Sequence, residues 1–277
     1  MRGKMNTLRV LFIGDVVGDT GCSMFQKHID KVRKTHHIDA IIVNGENSAN
    51  GKGITSRIAR FFKHNGVDVI TTGNHVWNKR EIFSYIAEHH DLLRPANFPT
   101  GVPGVGVTTF TCKGQTIGIV NLQGRVFMRE LIDCPFRSIE SILTYLKSRT
   151  NLIFIDFHAE ATSEKMALAY FVDGKVSGVV GTHTHVQTAD ERILPGGTGY
   201  ITDLGMTGSW NSMLGMKKEP IIKHFLDQMP VRFEVSTDMP VIMSGVWMEV
   251  DINTGKTVKI ERVKVVDNEL HIDTGEM

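Results

Sequence analysis

The sequence predicts an α/β fold in which two sheets pack together with helices outside. Three observations carry this expectation. Apolar strands alternate with helical stretches through residues 8–181. Each of those strands is a continuous apolar run, as expected for parallel strands covered on both faces. The stretch 231–272 is mostly of alternating apolar and polar residues with turn signals, the mark of antiparallel β-structure.

The elements follow in order. Leu8 to Gly14 is a first strand, followed by a helix from about Gly21 to His36. AIIVN, Ala40 to Asn44, is a second strand, and Thr55 can cap a helix reaching Asn65. Val67 to Thr72 is a third strand, and Lys79 to His90 a helix. The Pro- and Gly-rich stretch Arg94 to Gly106 is a long structured loop. VTTFTCKGQTIGIVNL reads as a hairpin around Lys113-Gly114. A helix near Pro135 to Ser148, the strand LIFIDF, a helix near Ser163 to Val172 and the strand SGVVG complete the α/β part. In the β-rich tail, NTG and DNE signal hairpins. No repeat or long linker interrupts the chain, so residues 1–277 read as a single domain.

Composition excludes several functions. With 31 basic and 30 acidic residues the net charge is +1, giving no global pull toward nucleic acid or a membrane surface. No apolar run reaches the roughly 18 residues of a membrane span, and the N-terminal run is too short for a secretory core. Cys22, Cys112 and Cys134 form no C-x-x-C pair and read as reduced thiols, which places the protein in the cytoplasm.

The functional signal lies where strands run out. LFIGD ends in Asp15, IIVNGEN delivers Glu46 and Asn47, and VITTGNH delivers Asn74 and His75. LIFIDFH delivers Asp156 and His158, and GVVGTHTH delivers His183 and His185. Ligands of open α/β sheets bind at the carboxyl ends of strands. Alone, Asp15 is as readily a helix cap, Glu46-Asn47 a polar turn, Asn74 an Asx-turn residue and His158 a core histidine. The pair His183 and His185 is the strongest single signal, because i and i+2 in an extended segment share a face. Five strand ends delivering such residues together point to one metal site. Carboxylate, carboxamide and imidazole without thiolate suit manganese, iron, zinc or nickel. Seven donors are too many for one open ion and suit two, bridged by a shared carboxylate and roughly 3.5–4 Å apart. A dinucleotide loop at LFIGDVVGDTG is excluded by Val16, which stands where the second glycine of G-x-G-x-x-G is required.

These residues resemble the calcineurin-like metallophosphoesterases, and FIGDVVG, NGEN, GNHVW, NLQGR, DFHAEATSEK and GTHTHVQTAD resemble the YmdB-like branch. The resemblance runs from about Leu8 to Val265. It implies a four-layer α/β/β/α sandwich of two mixed sheets flanked by helices. Val17 stands where the wider superfamily has the histidine of GDxH, and Glu46 replaces the bridging aspartate. The resemblance therefore implies one ion on Asp15, Glu46, Asn47 and His185, and a second on Glu46, Asn74, His158 and His183. The ions implied are iron or manganese, with zinc as the alternative.

With two acids and two divalent ions the site remains positive and suits a phosphate ester. The expected reaction is phosphodiester hydrolysis: a metal-bridging hydroxide attacks, and His75 serves as general acid or, alternatively, only as a positioning residue. The branch implies cyclic nucleotides as substrates, 2′,3′-cyclic and also 3′,5′-cyclic. A phosphomonoesterase and a metal-containing regulatory protein are the other readings. Arg125 in NLQGR is either a phosphate ligand or a surface charge, and Asp156 either fixes a histidine or faces the core. Glu160, Thr162 and Glu164 either orient His158 or begin a helix. No stable nucleic-acid partner and no membrane are expected, and a homo-oligomer is left open.

Overall fold

The computed structural model describes residues 6–272; Met1 to Met5, part of the N-terminal stretch considered above, lie outside them. The strands are β1 (Thr7–Ile13), β2 (Asp15–Val16), β3 (Ala40–Asn44), β4 (Val69–Thr71), β5 (Val107–Cys112), β6 (Gln115–Gln123) and β7 (Leu152–His158). They continue with β8 (Gly178–Thr182), β9 (Arg192–Ile193), β10 (Gly199–Ile201), β11 (Met206–Ser209), β12 (Val241–Asp251) and β13 (Thr257–Asp267). The helices are α1 (Gly18–His36), α2 (Ser56–His64), α3 (Ile82–Glu88), α4 (Pro135–Lys147), α5 (Thr162–Phe171) and α6 (Lys218–Asp227).

Two mixed sheets result. The first runs β2-β11-β12-β1-β3-β4, with β13 also paired to β12; the second runs β5-β6-β7-β8-β10-β9. In the first, β1, β3 and β4 are parallel and β12 is antiparallel to β1. In the second, β6, β7, β8 and β10 are parallel, with β5 and β9 antiparallel at the edges.

Strand alternation sorts the apolar residues into three layers. On β1, Leu8, Val10 and Phe12 face the second sheet and meet Ile117, Ile119 and Phe154. The rings of Phe12 and Phe154 lie 5.4 Å apart across this seam. The other face of β1, Leu11 and Ile13, packs under Met24, Phe25, Ile58 and Phe62 of α1 and α2. On the second sheet, Ile153, Ile155 and Phe157 pack under Ile139, Leu143 and Leu168 of α4 and α5. The order is helix, sheet, sheet, helix, and a strand buried on both faces has no room for polar alternation.

Several elements differ from the sequence reading. α1 starts three residues earlier, because Gly18 takes a left-handed turn (φ 58°) straight out of β2. α3 is shorter than expected, since residues 79–81 form turns before it. Thr55 caps α2, its hydroxyl accepting from the Ile58 N–H. NTG does turn β12 into β13, but DNE makes no hairpin among the described residues: β13 ends at Asp267, which accepts from the Glu269 N–H. Residues 231–240 form no strand beyond one bridge at Val235.

Candidate metal centre

The carboxyl ends of β1, β3 and β4 in one sheet and of β7 and β8 in the other open on the same seam. The first sheet delivers only oxygen donors. Asp15 follows Gly14, whose Cβ, if it had one, would lie 1.9 Å from the Gly205 carbonyl oxygen. Glycine there lets the strand pass close enough to bury Asp15 completely. Glu46 follows Asn44-Gly45 and is also buried. The Asn47 Nδ2 donates to the Gly51 carbonyl at 3.0 Å, which commits the amide orientation and leaves Oδ1 buried without a partner. Asn74 follows Gly73, where any Cβ would come within 2.1 Å of the His158 ring. Only glycine at 73 lets that imidazole reach across the seam.

The second sheet delivers only imidazoles, and each has one nitrogen already committed. The Thr182 hydroxyl donates to Asp156 Oδ1 at 2.7 Å, so it must accept from His158 Nδ1, 3.0 Å away. His158 Nε2 is left facing Glu46 Oε1 at 3.1 Å and Asn74 Oδ1 at 3.0 Å. His183 Nε2 lies 3.1 Å from Glu160 Oε2, and its Nδ1 lies 3.1 Å from His158 Nε2. His185 Nδ1 donates to the Leu214 carbonyl at 2.9 Å, leaving Nε2 3.8 Å from Asp15 Oδ1. Fixing the outer nitrogen fixes the tautomer, and a neutral imidazole then presents its lone pair inward.

His183 and His185 do converge on the seam, though not by the route inferred from sequence. β8 ends at Thr182, and both histidines have positive φ, 100° and 65°. They sit in a tight turn rather than an extended segment. A left-handed backbone at two non-glycine residues is strained and persists only when its surroundings impose it. Asp203 supplies much of that constraint: its Oδ2 accepts from the Thr184 N–H at 3.1 Å and from Lys165 Nζ at 2.7 Å. Lys165 and Asp203 are both fully buried, as an ion pair must be paired to be.

Asp156 acts as a clasp below the site. Besides Thr182, it accepts from Thr71 Oγ1 and Asn44 Nδ2, so one carboxyl ties β3 and β4 to β7 and β8. Burial raises its pKa despite these bonds. Its hold on His158 runs through Thr182 rather than directly. Of the residues after His158, Glu160 meets His183, Thr162 begins α5, and Glu164 accepts from the backbone N–H groups of Arg125 and Val126. Thr182, Asp203, Lys165, Asn44 and Thr71 escaped the sequence reading, because their partners lie far off in the chain and no local spacing announces them.

The electrostatics fit a cation. Burial pushes the Asp15 carboxyl up to about 6 even with His185 and His158 nearby, the sign of an anion with too few positive partners. Burial acts the same way on Glu46, but a protonated His158 facing it outweighs burial and holds Glu46 at about 2. Despite burial, the Glu46 carboxylate in turn raises His158 to about 9, with the proton on Nε2 where a metal ion would replace it. Asp15 Oδ1 and Asn47 Oδ1 are buried polar atoms without hydrogen bonds. Glu46, His158 and His183 each offer an atom within 4.8 Å of the others. Two orphaned oxygens beside three inward-facing imidazole nitrogens are what divalent cations would complete, displacing the proton from His158.

His75 borders a cavity of about 450 Å³ here, and its backbone N–H donates to Glu46 Oε2 at 3.0 Å. Burial lowers its pKa, opposed by the Glu46 carboxylate. Arg125 is not among the residues lining this cavity and lies exposed in the loop after β6.

Comparison with known proteins places the chain among the following relatives. A family model described as YmdB-like protein matches residues 11–263. A 2′,3′-cyclic-nucleotide 2′-phosphodiesterase of Bacillus subtilis is 49% identical over 266 residues, covering 96% of this chain and all of that protein. A crystal structure described as a novel phosphatase of Mycoplasma pneumoniae superposes with a TM-score of 0.90 at 36% identity, covering 96% of each chain. A hypothetical protein of Thermus thermophilus superposes with a TM-score of 0.87 at 37% identity, covering 94% of this chain and 100% of that one.

Proposed function

The chain belongs to the YmdB-like branch of the calcineurin-like metallophosphoesterases, and we propose that it is a cytoplasmic, metal-dependent phosphodiesterase of cyclic nucleotides. The 2′,3′-cyclic forms are the principal substrates, with 3′,5′-cyclic forms as further candidates. One observation carries the metal dependence: three histidines with their outer nitrogens committed surround two buried, unpartnered oxygens. The phosphodiesterase named for the Bacillus relative supports the substrate class.

Asp15, Asn47 and His185 would hold one ion, and Asn74, His158 and His183 a second, with Glu46 shared. Two such ions would supply positive charge to the phosphoryl oxygens and lower the pKa of a water. The chain's own groups do the rest. The exposed Lys52 at the cavity wall attracts the anionic ester. His75, its backbone N–H anchored to Glu46, gives a proton from its imidazole to the departing alkoxide oxygen. Turnover ends with the proton regained from water.

The test compares cyclic nucleotides, an alkyl diester, an aryl diester and the matching monoesters on metal-analysed protein, with and without chelator. Diester turnover lost on chelation is expected; monoester preference would assign a phosphomonoesterase, and no turnover with any substrate would leave a regulatory metal protein. His75→Ala should keep its metal and lose roughly 10²–10⁴ in rate on alkyl leaving groups, with a smaller loss on aryl ones. An equal loss on both would make His75 a positioning residue.

A further inference from the structure

The cavity bordered by Glu46, Asn47, His183 and His185 has a second, chemically opposite end. Beyond Glu46, His75 and His183 its wall is made by Met213, Leu214, Met216, Ile221, Phe225 and Phe233. These residues belong to one excursion of the chain between β11 and β12, comprising α6 and the loops on either side. α6 contributes no buried residue to any core. Phe225 is 72% exposed and Phe233 46%. Residues that neither pack into the core nor avoid water, yet line a site, are available for a ligand.

The excursion is nonetheless held in shape. His224 Nδ1 donates to the Met229 carbonyl at 2.7 Å, closing the loop after α6, and its ring lies 6.3 Å from that of Phe233. Lys217 pairs with Glu234 at 2.7 Å across the base of the excursion. The Leu214 carbonyl that orients His185 lies in the same excursion, so the apolar wall and the donor cluster are set relative to each other.

Resting on the reading above, we propose that residues 213–233 form the nucleobase subsite, and that it accepts any base by stacking on Phe225 and Phe233. A ligand filling this cavity must carry an anion at one end and a flat apolar group at the other. A single nucleoside phosphate has that form, and about 450 Å³ lies within the roughly 300–1,000 Å³ typical of small-ligand sites. The wall is poor in polar side chains: His224 is the one hydrogen-bonding side chain that α6 gives the cavity. Selection among bases by hydrogen bonds is therefore weak, and purines, with more stacking area, bind more tightly than pyrimidines.

The experiment measures kcat/KM for purine and pyrimidine 2′,3′-cyclic nucleotides and for ribose 2′,3′-cyclic phosphate lacking a base. Native protein should favour purine over pyrimidine, and either over the base-less ester. In Phe225→Ala and Phe233→Ala the ratio of nucleotide to base-less kcat/KM should fall roughly 5- to 150-fold, the equivalent of about 1–3 kcal/mol for one stacked base. The fall should lie in KM, and Phe225→Trp should restore the ratio. Metal content and light-scattering mass are measured on every variant. An unchanged ratio overturns the proposal, as does a change of assembly state with Phe225→Ala, which would give this face to a second copy. If native protein cleaves the base-less ester as well as the nucleotides, the subsite is refuted and the phosphodiesterase reading stands. If it cleaves none of them, that reading fails first.

Discussion

Replacing Thr182 by Val isolates the claim that His158 is tautomer-locked. Valine keeps the volume and the β-branched shape suited to β8, and removes only the hydroxyl. Three hydrogen bonds disappear: to Asp156 at 2.7 Å, from His158 Nδ1 at 3.0 Å and from Asn44 Nδ2 at 3.4 Å. Asp156 retains Thr71 and Asn44. The His158 Nδ1–H is left without an acceptor in a fully buried position. One charge-assisted bond and one buried orphan together cost about 2–4 kcal/mol. At about 2.1 cal/mol/K per residue over this chain, that lowers Tm by roughly 3–7 °C. The proton also gains a reason to move to Nε2, where Glu46 Oε1 and Asn74 Oδ1 can accept it. The lone pair offered to a metal is then lost, and affinity should fall about 10- to 100-fold. Calorimetric metal titration and a thermal melt on the same sample read both effects. A lowered Tm with unchanged metal affinity would refute the tautomer argument while leaving the hydrogen bonds intact as a stability claim.

Two further outcomes follow from other contacts. Asn47→Ala removes the uncharged donor proposed for the ion of Asp15 and His185, so metal analysis should find about one ion fewer per chain, recovered in part by excess metal; full retention at native affinity would dismiss Asn47 as a ligand. Asp267, at the end of β13, accepts from Lys27 Nζ and pairs with His28 Nε2, both at 2.7 Å, and Lys27 foremost holds its carboxyl well below the usual range. A depressed folded pKa stabilises above the unfolded value of about 3.9 and loses that contribution as pH falls through the folded one. Asp267→Asn should therefore melt below the native protein at pH 7, with the gap closing under about pH 4; a gap independent of pH would reject the ion pair as its source.

What could be read from sequence was what periodicity encodes. Runs such as Leu8–Ile13 and Leu152–Phe157 are buried on both faces, so they announced themselves as strands, and the polar residue after each run marked the open end of a sheet. The structure gathers Asp15, Glu46, Asn47, Asn74, His158, His183 and His185 at those ends. The excursion around α6 gave no such signal, since its apolar residues face solvent and follow no core. β2, β9 and β10 are two or three residues long, too short for any period. The left-handed turn at His183 and His185 is imposed by Asp203 and Leu214, which spacing within GTHTH could not disclose.

The division of donors between the sheets has a consequence during synthesis. By the time residue 74 has emerged from the ribosome, the chain owns every oxygen donor and no imidazole from the set. Such a half-site favours hard ions like magnesium, calcium or manganese, whereas the three histidines alone favour zinc, copper or nickel. Neither preference belongs to the finished molecule. On the proposed ligand set the full donor complement exists only once one sheet has docked on the other, and Gly73 leaves the space through which His158 reaches Glu46 and Asn74. A chain that picks up its ion early would carry one chosen by half the ligands.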